Sequence, residues 1–268
     1  LAHILDRERE VGCYAYLDLI AGQRTRNVEV ALKSNLGSPM LIEVPYILEL
    51  TGDIWGKKVL DAGCGGGFYS LCLSEKGAQV LGIDSSEEMI KIAKEKASRK
   101  MLDTKFSVGD ITDLKIEDDT FDLVLSILVL MDLKKLDKAI SELVRVTRNR
   151  GHIVISIQHP TLTAGDWQKE SGEKIFRKLD DYFTERELKV VWENERKERI
   201  HFKYYHKPLQ AYVQPFLKRG CVLTHLVEPQ PHKVYKIMNK REYEDTKRIP
   251  HFVIFKFQKT GFKKDNRV

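Results

Sequence analysis

Residues 59–70 read "VLDAGCGGGFYS", an apolar run that ends in an acid, Asp61, and is followed at once by Gly63, Gly65, Gly66 and Gly67. Glycines at a strand-to-helix turn let the backbone approach a ligand closely and leave the first helical amides free to meet it. Two common glycine signatures are excluded. The dinucleotide fingerprint G-x-G-x-x-G/A places Phe68 or Ser70 at its last position, depending on register, and a phosphate-cradling loop needs Lys then Ser or Thr where Phe68 and Tyr69 stand. The pattern that fits is D-x-G-x-G-x-G, made of Asp61, Gly63, Gly65 and Gly67, with a second acid, Asp84, at the end of the next apolar run. An acid at that second place can accept both hydroxyls of a ribose. Asp61 would repel a pyrophosphate and attract a ligand that carries an ammonium group near the turn.

Outward from the turn, short apolar runs alternate with amphipathic ones. "KKVLDA" reads as a strand, "FYSLCLSEKG" as a helix stopped by Gly77, and "AQVLGID" as a strand; in "SSEEMIKIAKEKA" Ser85 and Glu88 have capping-box spacing before an apolar helix face. "TKFSVGD" and "FDLVLSI" are further strands, and a helix through Leu136, Ile140 and Leu143 is expected to close at Gly151 before the strand "HIVISI". Such alternation predicts an α/β fold, a parallel sheet with helices on both faces.

The alternation breaks after Ile157. Residues 159–206 read as an inserted cap with two strands, "ELKVVWEN" and "RIHFKYYH", either a lid over a ligand or a small satellite core or dimer contact. A helix then starts at Pro208 and stops at Gly220, and two strands, "CVLTHLV" and "FVIFKF", flank a long polar link. The expected organisation is an N-terminal helical cap over 1–44, a main domain over 45–258 interrupted by the insertion, and a basic tail over 259–268.

At 268 residues, with 42% apolar and 31% charged residues, the chain is long enough for one large domain with a sizeable core. It has no apolar run near membrane-span length and no signal-like start, so it reads as cytoplasmic, with no membrane partner. Cys13, Cys64, Cys72 and Cys221 lack metal-ligand spacing and predict free thiols, with neither zinc nor a disulfide. A net charge of +6 is small and lies partly in the C-terminal "KTGFKKDNRV", which makes nucleic acid an unlikely partner.

With "GIDSS", "VGDI", "FDLVLSILVL" and "GHIVISI" following the glycine turn in order, residues 45–158 resemble the class I S-adenosylmethionine-dependent methyltransferases of the small-molecule, methyltransferase-domain type. The resemblance implies a Rossmann-like, seven-stranded, mostly parallel sheet and S-adenosylmethionine as cofactor. It places Gly63, Cys64, Gly65 and Gly67 at the methionine part, with Asp61 acting on its amino group, usually indirectly. It implies that Asp84 takes the ribose hydroxyls, that Ser85 and Met89 border the adenine, that Asp110 and Ile111 meet its amine and edge, and that Ser126 and Ile127 face the methionine end. Phe68 and Tyr69 read as core and cap residues rather than ligand contacts, and the resemblance implies an N-terminal part that covers the cofactor, with Tyr14 and Tyr16 as candidates to reach it.

Methyl transfer from an activated donor asks mainly for alignment and exclusion of water, with a base where the nucleophile is a hydroxyl. His159, just beyond the fifth strand, is the first candidate for that base. His206, in "HKPLQAYVQPFLKRG", is a second, with a hinge or cap role as its alternative. "SILVLM" stands where many amino-methylating enzymes on DNA, RNA and protein carry "NPPY" or "DPPY", which argues against adenine or glutamine amide as acceptor. The expected activity is methylation of a small molecule at O, N or C by a monomer or homodimer; the alternative is a role on RNA or protein.

Overall fold

The run before the glycines is a strand, β1 (Lys58–Ala62), buried at every residue after Lys58. The computed structural model describes residues 38–193 and 199–261. Tyr14, Tyr16 and Cys13 lie outside them, as does most of the expected N-terminal cap. Ahead of β1 comes α1 (Ser38–Thr51), so the expected boundary between 44 and 45 falls inside a helix.

After β1 follow α2 (Phe68–Glu75), β2 (Gln79–Asp84), α3 (Glu87–Arg99), β3 (Lys105–Val108) and β4 (Phe121–Ile127). A single 3-10 turn, Leu130–Asp132, leads to α4 (Asp137–Val146) and β5 (Thr147–Gln158). The expected stop of this helix at Gly151 is displaced: α4 ends at Val146, Arg150 takes the left-handed conformation at φ 63°, and Gly151 lies inside β5. The expected capping residue also moves by one. Ser86, not Ser85, is extended and accepts the Met89 N–H, while Glu87 and Glu88 meet the positive end of the α3 dipole.

The insertion holds more than the two expected strands. A short α5 (Pro160–Thr163) precedes an antiparallel hairpin, β6 (Gly165–Glu170) and β7 (Glu173–Leu179). The expected pair follows as β8 (Arg186–Glu193) and β9 (Arg199–His206). Then come α6 (Leu209–Lys218) and β10 (Cys221–Val227). The polar link folds into α7 (Lys233–Met238) and α8 (Lys240–Arg248) before β11 (Phe252–Lys259). Lys259, assigned to a basic tail, is therefore the last residue of a strand, and its ammonium donates to Thr147 O at 2.7 Å and Val144 O at 2.9 Å.

Seven strands make one sheet in the order β10-β11-β5-β4-β1-β2-β3. β11 alone runs opposite to the other six strands. Alternate residues of the central strands feed two cores. Val59, Leu123, Val154 and Ile254 pack with Ile42, Ile47 and Leu73 on one face; Leu60, Val124, Ile153, Ile155 and Phe255 pack with Ile140, Leu143 and Phe216 on the other. Strands buried on both faces read as continuous apolar runs, as these do. A third cluster, Ile90, Ala93, Ala97 and Phe106, seats α3 on β3.

The first hairpin of the insertion is fastened to α8. Lys174 pairs with Asp245, and the Trp167 ring lies among Lys174, Arg177 and Arg248 at 5.2, 5.9 and 5.3 Å. Among the described residues no helix is long and apolar enough to cross a membrane.

Candidate active site

The C-terminal ends of β4, β1, β2 and β3 open onto one cavity of about 380 Å³, a size usual for small-ligand sites. Open α/β sheets bind ligands at this edge. Asp61, Gly63, Cys64, Gly65, Asp84, Ser85, Met89, Asp110, Ile111 and Ile127 all line it.

Two of the glycines have separate reasons to be glycine. Gly63 sits at φ 85°, and a Cβ there would stand 2.3 Å from Val129 Cγ2, so the turn after β1 can pass the turn after β4 only without a side chain. Its amide and that of Cys64 both donate to Ile83 O, at 2.7 and 2.9 Å, which ties the turn to β2. Gly67, at φ 83°, caps α2, and a Cβ there would meet Phe106 at 2.9 Å. It serves the packing of α2 against β3 and is not on the cavity wall.

Asp84 braces the turn from the side. One carboxylate oxygen accepts Gly65 N–H at 2.8 Å and the other accepts Ser86 N–H at 2.9 Å. Each oxygen keeps lone-pair capacity for a hydroxyl. Asp61 is 2% exposed and accepts the Ser70 hydroxyl at 2.6 Å. Burial pushes its carboxyl up to about 6, against the pull of that bond. Asp110 accepts Thr112 N–H at 2.8 Å, a turn acid that also faces the cavity. Its loop is pinned from below by Arg145, which donates to Leu114 O at 2.9 Å and Ile116 O at 2.6 Å. Ser126 points elsewhere: it is fully buried inside the sheet, and Ile127 and Leu128 form the wall in its place.

A family model described as "Methyltransferase domain" matches residues 60–155. The chain is 32% identical over 187 residues to a malonyl-[acyl-carrier protein] O-methyltransferase of Hamiltonella defensa, covering 67% of this chain and 68% of that one. It is 38% identical over 128 residues to an ajmaline N-methyltransferase of Rauvolfia serpentina, spanning less than half of that protein, 44%. Among solved structures it is similar to a putative S-adenosylmethionine-dependent methyltransferase from Listeria monocytogenes, with TM-score 0.69, 30% identity and coverage of 81% of this chain and 96% of that one. The chain belongs to the S-adenosylmethionine-dependent methyltransferases.

The cofactor of such a methyltransferase carries a sulfonium and an ammonium, and the residues present suit it. Among the described residues, the ionisable groups on the wall are Glu43, Asp61, Cys64, Tyr69, Asp84, Asp110 and Asp132, with no Lys, Arg or His. A cation is attracted there, and a diphosphate is repelled.

Several wall residues of the methyltransferase were not singled out by sequence. Phe68 and Tyr69, expected in the core and cap, line the cavity as well as packing on the first core. Leu128 lines it in the left-handed conformation, φ 57°, which is costly for a branched side chain and common at ligand sites. Asp132 stands exposed at the mouth, with its carboxyl raised where it meets the cavity and the charge of Asp84. Glu43 comes from α1. A lone acid inside the apolar run "MLIEV" was the signal that could have found it.

The two histidines are not brought to the cavity. His159 caps α5: Nδ1 accepts Thr161 N–H at 3.2 Å and bonds the Thr161 hydroxyl at 2.7 Å, which leaves Nε2 to donate to Glu228 at 3.1 Å. His206 is fully buried, with Nδ1 on the Thr163 hydroxyl at 2.6 Å and Nε2 on Tyr182 O at 2.8 Å. Burial lowers the pKa of both. With both ring nitrogens engaged, His206 ties parts of the insertion to one another and His159 ties its start to Glu228, just after β10; neither lines the cavity. The described part of the insertion adds no residue to the wall; next to it, Lys207 donates to Leu133 O at 2.7 Å.

Proposed function

We propose that this methyltransferase moves the methyl group of S-adenosylmethionine to a nucleophile on a small molecule. The observation that carries the reading is that, among the described residues, every charged side chain on the wall around the glycine turn is acidic. The cofactor supplies a methyl already activated on a sulfonium. The chain's own part is to bind and align. Asp84 and the Gly65 amide hold the turn, Asp61 offers negative charge beside it, and Leu128 and Val129 wall off water. Asp132, at the mouth, is the carboxylate placed to accept a proton from a hydroxyl or ammonium acceptor. By their names, relatives act on malonyl-[acyl-carrier protein], on ajmaline and on demethylmenaquinone, and the last two support a small-molecule acceptor.

The test is incubation with methyl-labelled S-adenosylmethionine and separate small-molecule, RNA and protein pools. Label in the small-molecule pool is expected; label confined to RNA or protein contradicts the reading. With the acceptor in hand, Asp132→Asn should lower kcat about tenfold or more at unchanged cofactor affinity.

A further inference from the structure

The acids expected at the ends of β1, β2 and β3 leave one wall carboxylate without a role. Glu43 projects from α1, is 0% exposed, and neither of its carboxylate oxygens has a hydrogen-bond partner among the described residues. The Ser156 hydroxyl lies near enough to favour the charged form but closes no bond of standard geometry, and burial pushes the carboxyl up to about 8. Burying a carboxylate unpaired is costly, and the cost is relieved only when a donor or a cation arrives.

The place of Glu43 says which cation. Asp110 and Ile111 follow β3, Met89 is on α3, and Asp84 ends β2, so the nucleoside half of the ligand lies over β3 and β2. Glu43 stands toward the other end. Its neighbour Ser156 is on β5, paired with Ile127 at the end of β4, and α1 packs on the same core face as Val154. A nucleoside laid across four strand ends brings its aliphatic tail to that side. In S-adenosylmethionine the tail ends in an amino acid.

We propose that Glu43 binds the α-ammonium of the cofactor's methionyl tail directly. Asp61, engaged by Ser70, then adds field rather than the main contact. The inference rests on the cavity being the cofactor site. An ionised pair inside a dry pocket, with up to three N–H donors, can contribute about 10- to 100-fold in affinity.

The experiment is titration calorimetry of wild type, Glu43→Gln and Glu43→Asp with three ligands: S-adenosylmethionine, S-adenosylhomocysteine and 5′-methylthioadenosine, which lacks the amino-acid tail. Both variants should bind the first two about 10- to 100-fold more weakly and the third within about twofold of wild type. Unchanged affinity for the tailed ligands overturns the proposal, and a raised acceptor KM in that case assigns Glu43 to the acceptor. An equal loss for all three ligands also overturns it, since that is the mark of a structural role. Wild type that binds none of the three overturns the cofactor site itself and the Glu43 contact with it. Gln matches Glu in size and cannot ionise, so the variant should fold.

Discussion

The Asp84 carboxylate holds the Gly65 amide at 2.8 Å and, with its second oxygen, the Ser86 amide at 2.9 Å. The acid that faces the ribose position thus also fixes the glycine turn and the first turn of α3. Asp84→Ala should lower cofactor affinity about 10- to 100-fold and should also cost stability of about 1–3 kcal/mol, because two part-buried amides lose a charged acceptor. Calorimetry and urea unfolding check the two effects; loss of affinity with no change in unfolding midpoint would show that the brace contributes nothing.

Gly63 is held at φ 85° with Val129 against it. Gly63→Ala should cost about 1–3 kcal/mol from the backbone conformation and further from the contact. Adding Val129→Ala should restore the contact part and leave the backbone part, so the double variant should unfold between Gly63→Ala and wild type in denaturant. A double variant no more stable than Gly63→Ala would remove Val129 from the account.

Much of this was legible in the sequence, for physical reasons that differ by element. β1, β2, β4 and the second half of β5 are largely buried on both faces and so read as apolar runs, and the glycine turn and Asp84 announce themselves by residue type. Ser85 and Ser86 are both able to cap; only the backbone at Ser86, φ −87° and ψ 114°, decides between them. α8 was hidden because its buried side consists of Tyr243, Asp245 and Thr246, which carries little apolar signal. Its stability comes from the insertion instead, through Lys174 and Arg248. Glu43 and the histidines needed tertiary structure, since nothing local says that α1 reaches the sheet edge or that Thr161, Thr163 and Glu228 occupy the imidazoles.

His159→Ala should act on stability and leave the cofactor alone. It removes the acceptor for Thr161 N–H and the donor to Glu228, at a cost of about 1–2 kcal/mol in urea unfolding. Cofactor affinity should stay within about twofold. A large fall in affinity at an unchanged unfolding midpoint would put His159 back at the site.

Two wall carboxyls give the cofactor-free protein an inverted pH dependence. Asp61 rises from 3.8 to about 6 and Glu43 from 4.5 to about 8, in both cases chiefly by burial. Between the unfolded and folded values the folded state holds the extra proton, so stability falls as pH rises through these windows, and above about 8 the two contribute no further slope. Glu43→Gln should abolish the upper part of that slope and make the variant more stable than wild type at pH 8.5, by up to about 5 kcal/mol. Chemical denaturation between pH 5 and about 8.5 checks it; parallel curves for the two proteins would contradict the burial of an unpaired Glu43.

The acidic wall is tested most directly by calorimetric titration of the wild-type chain with S-adenosylmethionine, and in parallel with NADH and ATP. S-adenosylmethionine should bind in the micromolar range, about −8 kcal/mol, while the two phosphate-bearing nucleotides give no binding heat. Binding of NADH or ATP, with none of the sulfonium nucleoside, would contradict the account.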